Sequence, residues 1–317
     1  MRAVRYHEHG GPEVLLVEDV PRPEAGHGEL LVRVEAAGVN PVDTYFREGA
    51  YSLPGLPWTP ASDVAGVVEA VGDGVRGFEA GDRVFATGLG RDRQGTCAEY
   101  VTVPEGLAAT LPTGCGFEEG AAVALVGVTA WQALVHHGEV EPGERVLVHS
   151  GSGGVGHVAV QLAAAAGARV TTTASPAYHD HLHTLGAGTV LDYGREDLAE
   201  AIADAGAPDL VLDTMADEYF ELDGEVAAHG ATIVGIGNHS ATAPVPMGLG
   251  KFKDLRFQTM SMFNAPDTGA VLDRLATLMA AGDVVPEVGG TYDLEDTADA
   301  QRDVLEESFL GKLVVKP

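Results

Sequence analysis

Arg145-Val146-Leu147-Val148-His149-Ser150-Gly151-Ser152-Gly153-Gly154-Val155-Gly156 runs directly into His157-Val158-Ala159-Val160-Gln161-Leu162-Ala163-Ala164-Ala165-Ala166-Gly167. The short apolar run 145–149 reads as a buried parallel strand. It breaks at Gly151-x-Gly153-x-x-Gly156 and continues as an apolar, Ala-rich helix that Gly167 caps. In such a spacing one glycine allows a tight turn and one lets the backbone approach a diphosphate. The third lets helix and strand pack closely. The helix N-terminus adds free N–H groups and a positive dipole end. With 42 glycines in the chain a bare triplet means little. Its place between strand and helix, with a second strand Arg169-Val170-Thr171-Thr172-Thr173 behind it, makes it a candidate dinucleotide site.

Outward from that stretch the pattern repeats. Glu118 to His137 is helical and apolar, and strands then alternate with helices. The strands fall at 145–149, 169–173, 190–192, 209–213, 231–236 and 255–261, with helices near 156–166, 177–185, 195–205 and 217–228. This is the order of a doubly wound parallel sheet in an α/β protein. Residues 1 to about 122 instead read as mostly β, with Leu30–Ala37, Asp63–Val71 and Arg83–Ala86 as strands between Gly and Pro breaks. Between them, residues 39–51 read as a loop rich in polar groups. A helix at 267–281 and a final strand at 311–315 return to the first domain. The expected division is 1–122 with 266–317, and 123–265. The edge strand near 255–261 predicts a homodimer, formed by pairing across a two-fold axis.

The 317 residues leave room for two domains and an ample core. No apolar run reaches the roughly 18 residues that span a bilayer, and Met1-Arg2-Ala3-Val4-Arg5-Tyr6 has no signal-like apolar stretch. A soluble, cytoplasmic protein is expected. Acidic residues number 47 against 19 Lys and Arg, for a net charge of −28. Lysine occurs only at Lys251, Lys253, Lys312 and Lys316. Such a surface repels nucleic acid and anionic membrane. It suits a halophilic protein, since screening lengths fall to about 3 Å in 1 M salt; a merely acidic cytosolic enzyme is the plainer alternative. Apolar periodicity argues against disorder. Cys97 and Cys115, the only cysteines, cannot make a four-cysteine zinc site. Cys97 sits in an alternating segment and reads as a packed small hydrophobe.

Three segments carry a resemblance: Ala36-Ala37-Gly38-Val39-Asn40-Pro41-Val42-Asp43-Thr44-Tyr45, Gly77-Phe78-Glu79-Ala80-Gly81-Asp82-Arg83-Val84, and Val148 to Gly156. With the closing Gly311-Lys312-Leu313-Val314-Val315, the sequence resembles, end to end, the zinc-free, zeta-crystallin-like quinone oxidoreductases of the medium-chain dehydrogenase/reductase superfamily. The resemblance implies a GroES-like catalytic domain, a Rossmann domain, bound NADPH, a cleft between the domains and a dimer. Zinc relatives carry a cysteine at the position of Asn40, a histidine at that of Ser62 and another cysteine near Leu125. None of the three residues here would hold Zn²⁺, so no metal site is expected.

Without a Lewis acid a ketone accepts hydride poorly, because its alkoxide is strongly basic (bulk water, a comparable case, has a pKa of about 15.7). The reduced oxygen of a quinone is phenol-like, near the ~10 of tyrosine, so one hydrogen-bond donor can stabilise it. An enone or enoyl thioester accepts hydride at carbon if a proton donor serves the other carbon. By analogy of position the resemblance places Asn40, Asp43, Tyr45 and Tyr51 near the nicotinamide. Asn40 would orient cofactor or substrate, and the tyrosines would donate to an oxyanion or stack on a flat ring. Asp43 has the plainer alternative of holding its loop by an Asx-type bond.

An NAD enzyme places an acid at the end of the second strand. Here Thr172-Thr173-Ala174-Ser175 carries none before Asp180, so NADPH is the expected cofactor. Tyr178 stands where relatives often have a lysine, which leaves Ser175, Tyr178, His179 and Tyr193 to meet the 2′-phosphate. Ser152, Gly153, Gly154 and Val155 would hold the diphosphate. Thr129, Gly237 and Asn238 would flank the nicotinamide, with Phe263 nearby, and Lys312 completes the cofactor set. The cleft arginine of some relatives is absent from Ser261-Met262-Phe263-Asn264. His179 and His183, four apart, read as an exposed helix end rather than a metal site. The leading expectation is NADPH-dependent reduction of a quinone. Reduction of an activated C=C bond in an enone, alkenal or enoyl thioester is the alternative, and a non-enzymatic NADPH-binding protein the third.

Overall fold

The computed structural model covers residues 1–317 and divides into two units. One is Met1–Leu125 with Pro266–Gly282 and Pro286–Pro317; the other is Val126–Ala265 with Asp283–Val285. In the first, β1 (Arg2–Arg5) and β2 (Leu16–Asp19) form an antiparallel ribbon. The main sheet is built from β3 (Glu29–Val39), β4 (Asp63–Val71), β5 (Arg83–Ala86), β6 (Tyr100–Pro104) and β7 (Ala108–Thr110). β3 pairs with β4 and β6, β4 with β5, and β5 with β7, all antiparallel. On β6 the buried Val101 and Val103 alternate with half-buried neighbours, the period of a one-sided strand.

Residues 39–51, expected to be a loop, contain the helix α1 (Pro41–Glu48). Its start and stop signals are all present. Asn40 and Asp43 form a capping box, Pro41 takes the first turn, and Gly49 closes the helix in the left-handed conformation at φ 80°. The buried side chains are Asp43, Thr44, Phe46 and Arg47. Three of the four are polar, so no apolar stripe announces the helix.

The helix α2 (Phe117–Trp131) continues as a π-helical turn over Gln132–His137. The second unit follows as β8 (Arg145–Val148), α3 (Gly154–Ala165), β9 (Arg169–Ala174), α4 (His179–Thr184), β10 (Thr189–Asp192), α5 (Leu198–Ala205), β11 (Leu210–Asp213), α6 (Ala216–Val226), β12 (Thr232–Gly235), α7 (Met247–Lys253) and β13 (Arg256–Thr259). Its six strands are parallel, in the order β10-β9-β8-β11-β12-β13. Renumbered from β8 this is 3-2-1-4-5-6, the doubly wound dinucleotide-binding order, with its crevice beyond the carboxyl ends of β8 and β11. The α/β fold class expected from the sequence is therefore present. Leu147, Val211, Ile202, Phe220 and Ile233 pack on one face of the sheet.

The chain then re-enters the first unit as α8 (Thr268–Ala281), β14 (Val288–Asp293), α9 (Thr297–Glu306) and β15 (Lys312–Lys316). The expected closing strand is β15, antiparallel to β3 through Leu313 opposite Val39 and parallel to β14. Two helices lie outside the expected set. α7 has seven residues, two of them glycine, and buries none; α9 has four apolar residues in ten and buries Thr297, Ala300 and Gln301, with Val304 packed beside them. The buried face of α9 is half polar, so neither helix carries a continuous apolar stripe. No helix is long and apolar enough to cross a membrane.

Candidate active site

In the second unit β8 ends at Val148, and Ser150 adopts the left-handed conformation at φ 57° to enter the glycine loop. A Cβ on Gly151 would overlap the Thr172 side chain, and one on Gly156 the Ser150 carbonyl oxygen. These two glycines are therefore required by close packing. Gly153 differs: a Cβ there would meet only the Ser150 oxygen, at 3.3 Å. Gly153 is the N-cap of α3 and no side chain caps that end. The first-turn N–H groups, which have no partner within a helix, can thus receive an anion. Ser152, Gly153, Gly154 and Val155 are all partly exposed around it. The donor set fits a dinucleotide diphosphate.

β9 ends at the buried Ala174, and Ser175 caps a 3-10 turn over Pro176–Tyr178. Ser175, Tyr178 and His179 are half-buried there, and Tyr193 is exposed beyond β10. His179 is tied by Nε2 to the Ala174 carbonyl at 3.1 Å, and His183 by Nδ1 to the Ala187 carbonyl at 2.8 Å, so the two face different carbonyl groups. The fit to a 2′-phosphate is steric and polar rather than ionic, because no lysine or arginine stands among these residues. Gly237 and the exposed Asn238 follow β12, Thr129 is buried on α2, and Phe263 is half-buried in the 3-10 turn Met262–Asn264.

In the first unit the N-terminus of α1 meets β4 and β15. The Asn40 N–H donates to Asp43 Oδ2 at 2.8 Å, and Asn40 Nδ2 donates to Asp63 Oδ2 at 2.9 Å. Lys312 Nζ donates to Asn40 Oδ1 at 2.6 Å and to Asp63 Oδ2 at 3.1 Å. Asp63 Oδ1 accepts the Leu125 N–H at 2.9 Å. All four side chains are buried. Lys312, expected among the cofactor ligands, is therefore the ammonium of a buried polar centre with Asn40 and Asp63. Asp43 makes the capping bond expected of its plainer reading. Burial, with the charge of Asp63 behind it, pushes its carboxyl up to about 7, against the Asn40 N–H and the Lys312 charge. Of the positions that bear zinc ligands in relatives, Asn40 is engaged as above and the Ser62 hydroxyl donates to the Leu89 carbonyl at 2.8 Å. Leu125 offers only apolar atoms from its side chain. No cluster of three or more His, Cys, Asp or Glu has metal-site geometry. Cys97 is buried.

α1 also brings two of the expected tyrosines together. Tyr45 and Tyr51 meet edge to face at 6.0 Å, and Tyr51 packs against Phe46 at 5.5 Å. Tyr51 is 48% exposed. Burial, then Tyr51 and Glu48, holds the Tyr45 phenol above its ordinary range, so it stays a donor at neutral pH.

Sequence reading did not single out Asp63 or the buried acids Asp213 and Asp223 beside His149. A signal existed for three of these. Asp63 opens an apolar strand, Asp213 closes one, and His149 ends a third. A charge within an otherwise apolar strand needs a partner.

A doubly wound dinucleotide unit joined to a mostly β unit defines the class: an oxidoreductase of the medium-chain dehydrogenase/reductase type. Residues 26–113 match the alcohol dehydrogenase GroES-like domain and residues 185–315 the zinc-binding dehydrogenase domain. A human quinone oxidoreductase is 34% identical over 99% of this chain and 97% of its own. The crystal structure of an Escherichia coli quinone oxidoreductase complexed with NADPH has a TM-score of 0.90 at 29% identity, covering 100% of both chains. A structure described as an NAD-dependent alcohol dehydrogenase has a TM-score of 0.92 at 34% identity, again covering 100% of both. The chain belongs to the quinone oxidoreductase family.

Proposed function

We propose that this chain is an NADPH-dependent quinone oxidoreductase that needs no zinc. NADPH supplies a hydride from C4 of its nicotinamide when bound. The chain's own part is to hold that cofactor, orient the acceptor and stabilise its reduced oxygen. The α3 N-terminus and residues 152–155 bind the diphosphate. Ser175, Tyr178, His179 and Tyr193 admit the 2′-phosphate, with no acid at the end of β9 to repel it. Thr129, Gly237, Asn238 and Phe263 flank the nicotinamide. Tyr45 and Tyr51 donate hydrogen bonds to the acceptor oxygen, and Asn40 and Asp43 fix the start of the helix that carries Tyr45.

The observation that carries the reading is the Lys312–Asn40–Asp63 centre. An ammonium engages the residue that stands at a zinc ligand's position, and the other two such positions offer a bonded hydroxyl and an apolar side chain. A donor set of this kind does not bind Zn²⁺, so an acceptor must be electron-poor enough to need no Lewis acid. Steady-state assays with benzoquinones, naphthoquinones, 2-alkenals and crotonyl thioester test this. NADPH-dependent turnover of the quinones supports the reading. Turnover confined to the alkenals or the thioester, abolished by Tyr51→Phe, replaces it with reduction of an activated C=C bond. The absence of turnover with every acceptor would leave a nucleotide-binding protein.

A homodimer is part of the proposal. The strand β13 pairs only with β12, so its outer edge is open, and beside it Met247 and Phe252 on α7 are 65% and 73% exposed. Apolar side chains next to an open strand edge are what a second copy would cover. With a net charge of −28, the proposed setting is a salt-rich cytoplasm.

A further inference from the structure

Two buried carboxyl groups near the glycine loop each have one oxygen left over. Asp213 ends β11; its Oδ1 accepts the Met215 N–H at 2.7 Å and its Oδ2 meets no donor. Asp223, on α6, lies with Oδ1 2.9 Å from His149 Nε2, and its Oδ2 also meets no donor. All three side chains are 0% exposed. Asp213 and His149 follow directly on Leu212 and Val148, which are paired on the adjacent parallel strands β11 and β8, and Asp223 bonds to that same imidazole, so the two carboxyl groups bear on each other across it. Two bare carboxylates cannot bond to each other. One proton held between them satisfies both oxygens and removes one of two adjacent buried charges.

The cluster reaches the loop along two lines. Thr173 Oγ1 lies 3.3 Å from His149 Nδ1 and accepts the Ser150 N–H at 3.1 Å. Thr214, next to Asp213, donates its hydroxyl to Ser150 Oγ at 2.9 Å. Both lines end on Ser150, the left-handed residue that turns the chain into Gly151. We propose that Asp213 and Asp223 hold one proton between them, and that with His149 they are positioning residues for the glycine loop, setting the affinity for a dinucleotide diphosphate by whether that proton is present. The proposal rests on the NADPH reading above.

The charges that face the cluster are few. The turn after β8 contributes His149, β9 the neutral Thr173, β11 Asp213, and α6 Asp223 with Tyr219, whose ring stacks on His149 at 4.5 Å and 4°. Glu218 and Tyr193 bear on Tyr219 from further out. Burial works against a charged His149, but the charge and hydrogen bond of Asp223, then the charge of Asp213, outweigh it and hold the imidazole above its ordinary range. Burial, then the Asp223 charge, holds Asp213 well above the usual carboxylate range. With the shared proton in place, imidazolium, carboxylate and carboxylic acid sum to zero. Once it leaves, the cluster carries one net negative charge, joined through Thr173 to the loop that receives the diphosphate.

The test is the dissociation constant of NADPH, and of NADH in parallel, across roughly pH 6 to 9, by fluorescence titration in molar salt. NADH is needed because a phosphomonoester itself titrates near pH 6. In the wild type, Kd for both nucleotides is expected to rise ~3–10-fold towards the alkaline end. In Asp213→Asn, whose amide can donate to Asp223 Oδ2 without titrating, Kd should stay at the low value throughout. A readout without nucleotide accompanies it: the infrared difference spectrum, wild type minus Asp213→Asn at neutral pH, should contain the carbonyl stretch of a protonated carboxyl. An Asp213→Asn profile that rises in step with the wild type overturns the proposal, as does a difference spectrum without that band. Should the variant not fold, a flat NADH profile in the wild type overturns it alone. Tight binding with no pH dependence removes this proposal and leaves the NADPH reading standing. Binding of neither nucleotide at any pH removes both.

Discussion

Replacing Lys312 by methionine keeps the length of the side chain and removes its charge. Lys312 is 3% exposed and Asp63 0%, and the ammonium is one of three donors to the Asp63 carboxylate, with Asn40 Nδ2 and the Leu125 N–H. Without it, a fully buried carboxylate keeps two neutral donors and gains no access to water. Removing one member of a buried pair costs about 3–5 kcal/mol. For a unit of this size ~1 kcal/mol moves the melting temperature by about 2–4 °C, so the expected fall is roughly 6–20 °C by calorimetry. One further feature sets the effect apart from loss of a surface pair: the deficit should persist in molar salt, because buried charges are screened little. The double variant Lys312→Met with Asp63→Asn should recover most of the loss, since removing both charges together is often near neutral. A single variant melting within ~2 °C of the wild type, or a deficit that vanishes in salt, would refute the assignment of this centre.

Asp43→Asn tests the raised carboxyl on α1. A folded-state value of about 7, well above the ordinary range of an aspartate, means that the folded chain binds this proton more tightly, so its contribution is complete at low pH and lost as the pH rises towards 7. Against the wild type, the variant should therefore gain stability between about pH 4 and 7, by up to ~4 kcal/mol; melting curves at a series of pH values with a constant difference would contradict this. Ser175→Asp places an acid at the end of β9, and Kd for NADPH should rise about tenfold or more while that for NADH changes little. Gly156→Ala drives a Cβ into the Ser150 carbonyl oxygen, so binding of either nucleotide should weaken by about a hundredfold, with some loss of stability; unchanged titrations would refute the placement of the loop. Phe252→Asp should lower the sedimentation mass to that of a monomer if α7 and β13 form the contact between copies.

The second unit was legible because its strands and helices obey one period each and are punctuated by glycine. β8 and α3 follow directly from the run at 145–167, and the succession of parallel strands and helices follows from alternation, whereas the order β10-β9-β8-β11-β12-β13 is seen only in the sheet itself. α1 was not legible, because Phe46 is the one apolar residue of a buried face that otherwise holds Asp43, Thr44 and Arg47, and two of the groups that Arg47 meets, the Gly10 carbonyl and Gln301, lie far along the chain. Arg47 bonds to Gln301, 254 residues away. The same holds for Lys312, which reads as one more residue of a closing strand until β15 is laid beside β3 and its ammonium meets Asn40 and Asp63. A sequence shows that a charge sits in an apolar strand. It does not show which distant charge answers it, and for Asp63, Asp213 and Asp223 that pairing decides the chemistry.

The most direct measurement is the rate of NADPH oxidation by a benzoquinone, followed at the nicotinamide absorbance on protein whose zinc content has been determined before and after dialysis against a strong chelator. The expected result is full activity at a zinc content far below one ion per chain, unchanged by chelation or by added Zn²⁺. Activity that falls with the zinc and returns when Zn²⁺ is restored would contradict it.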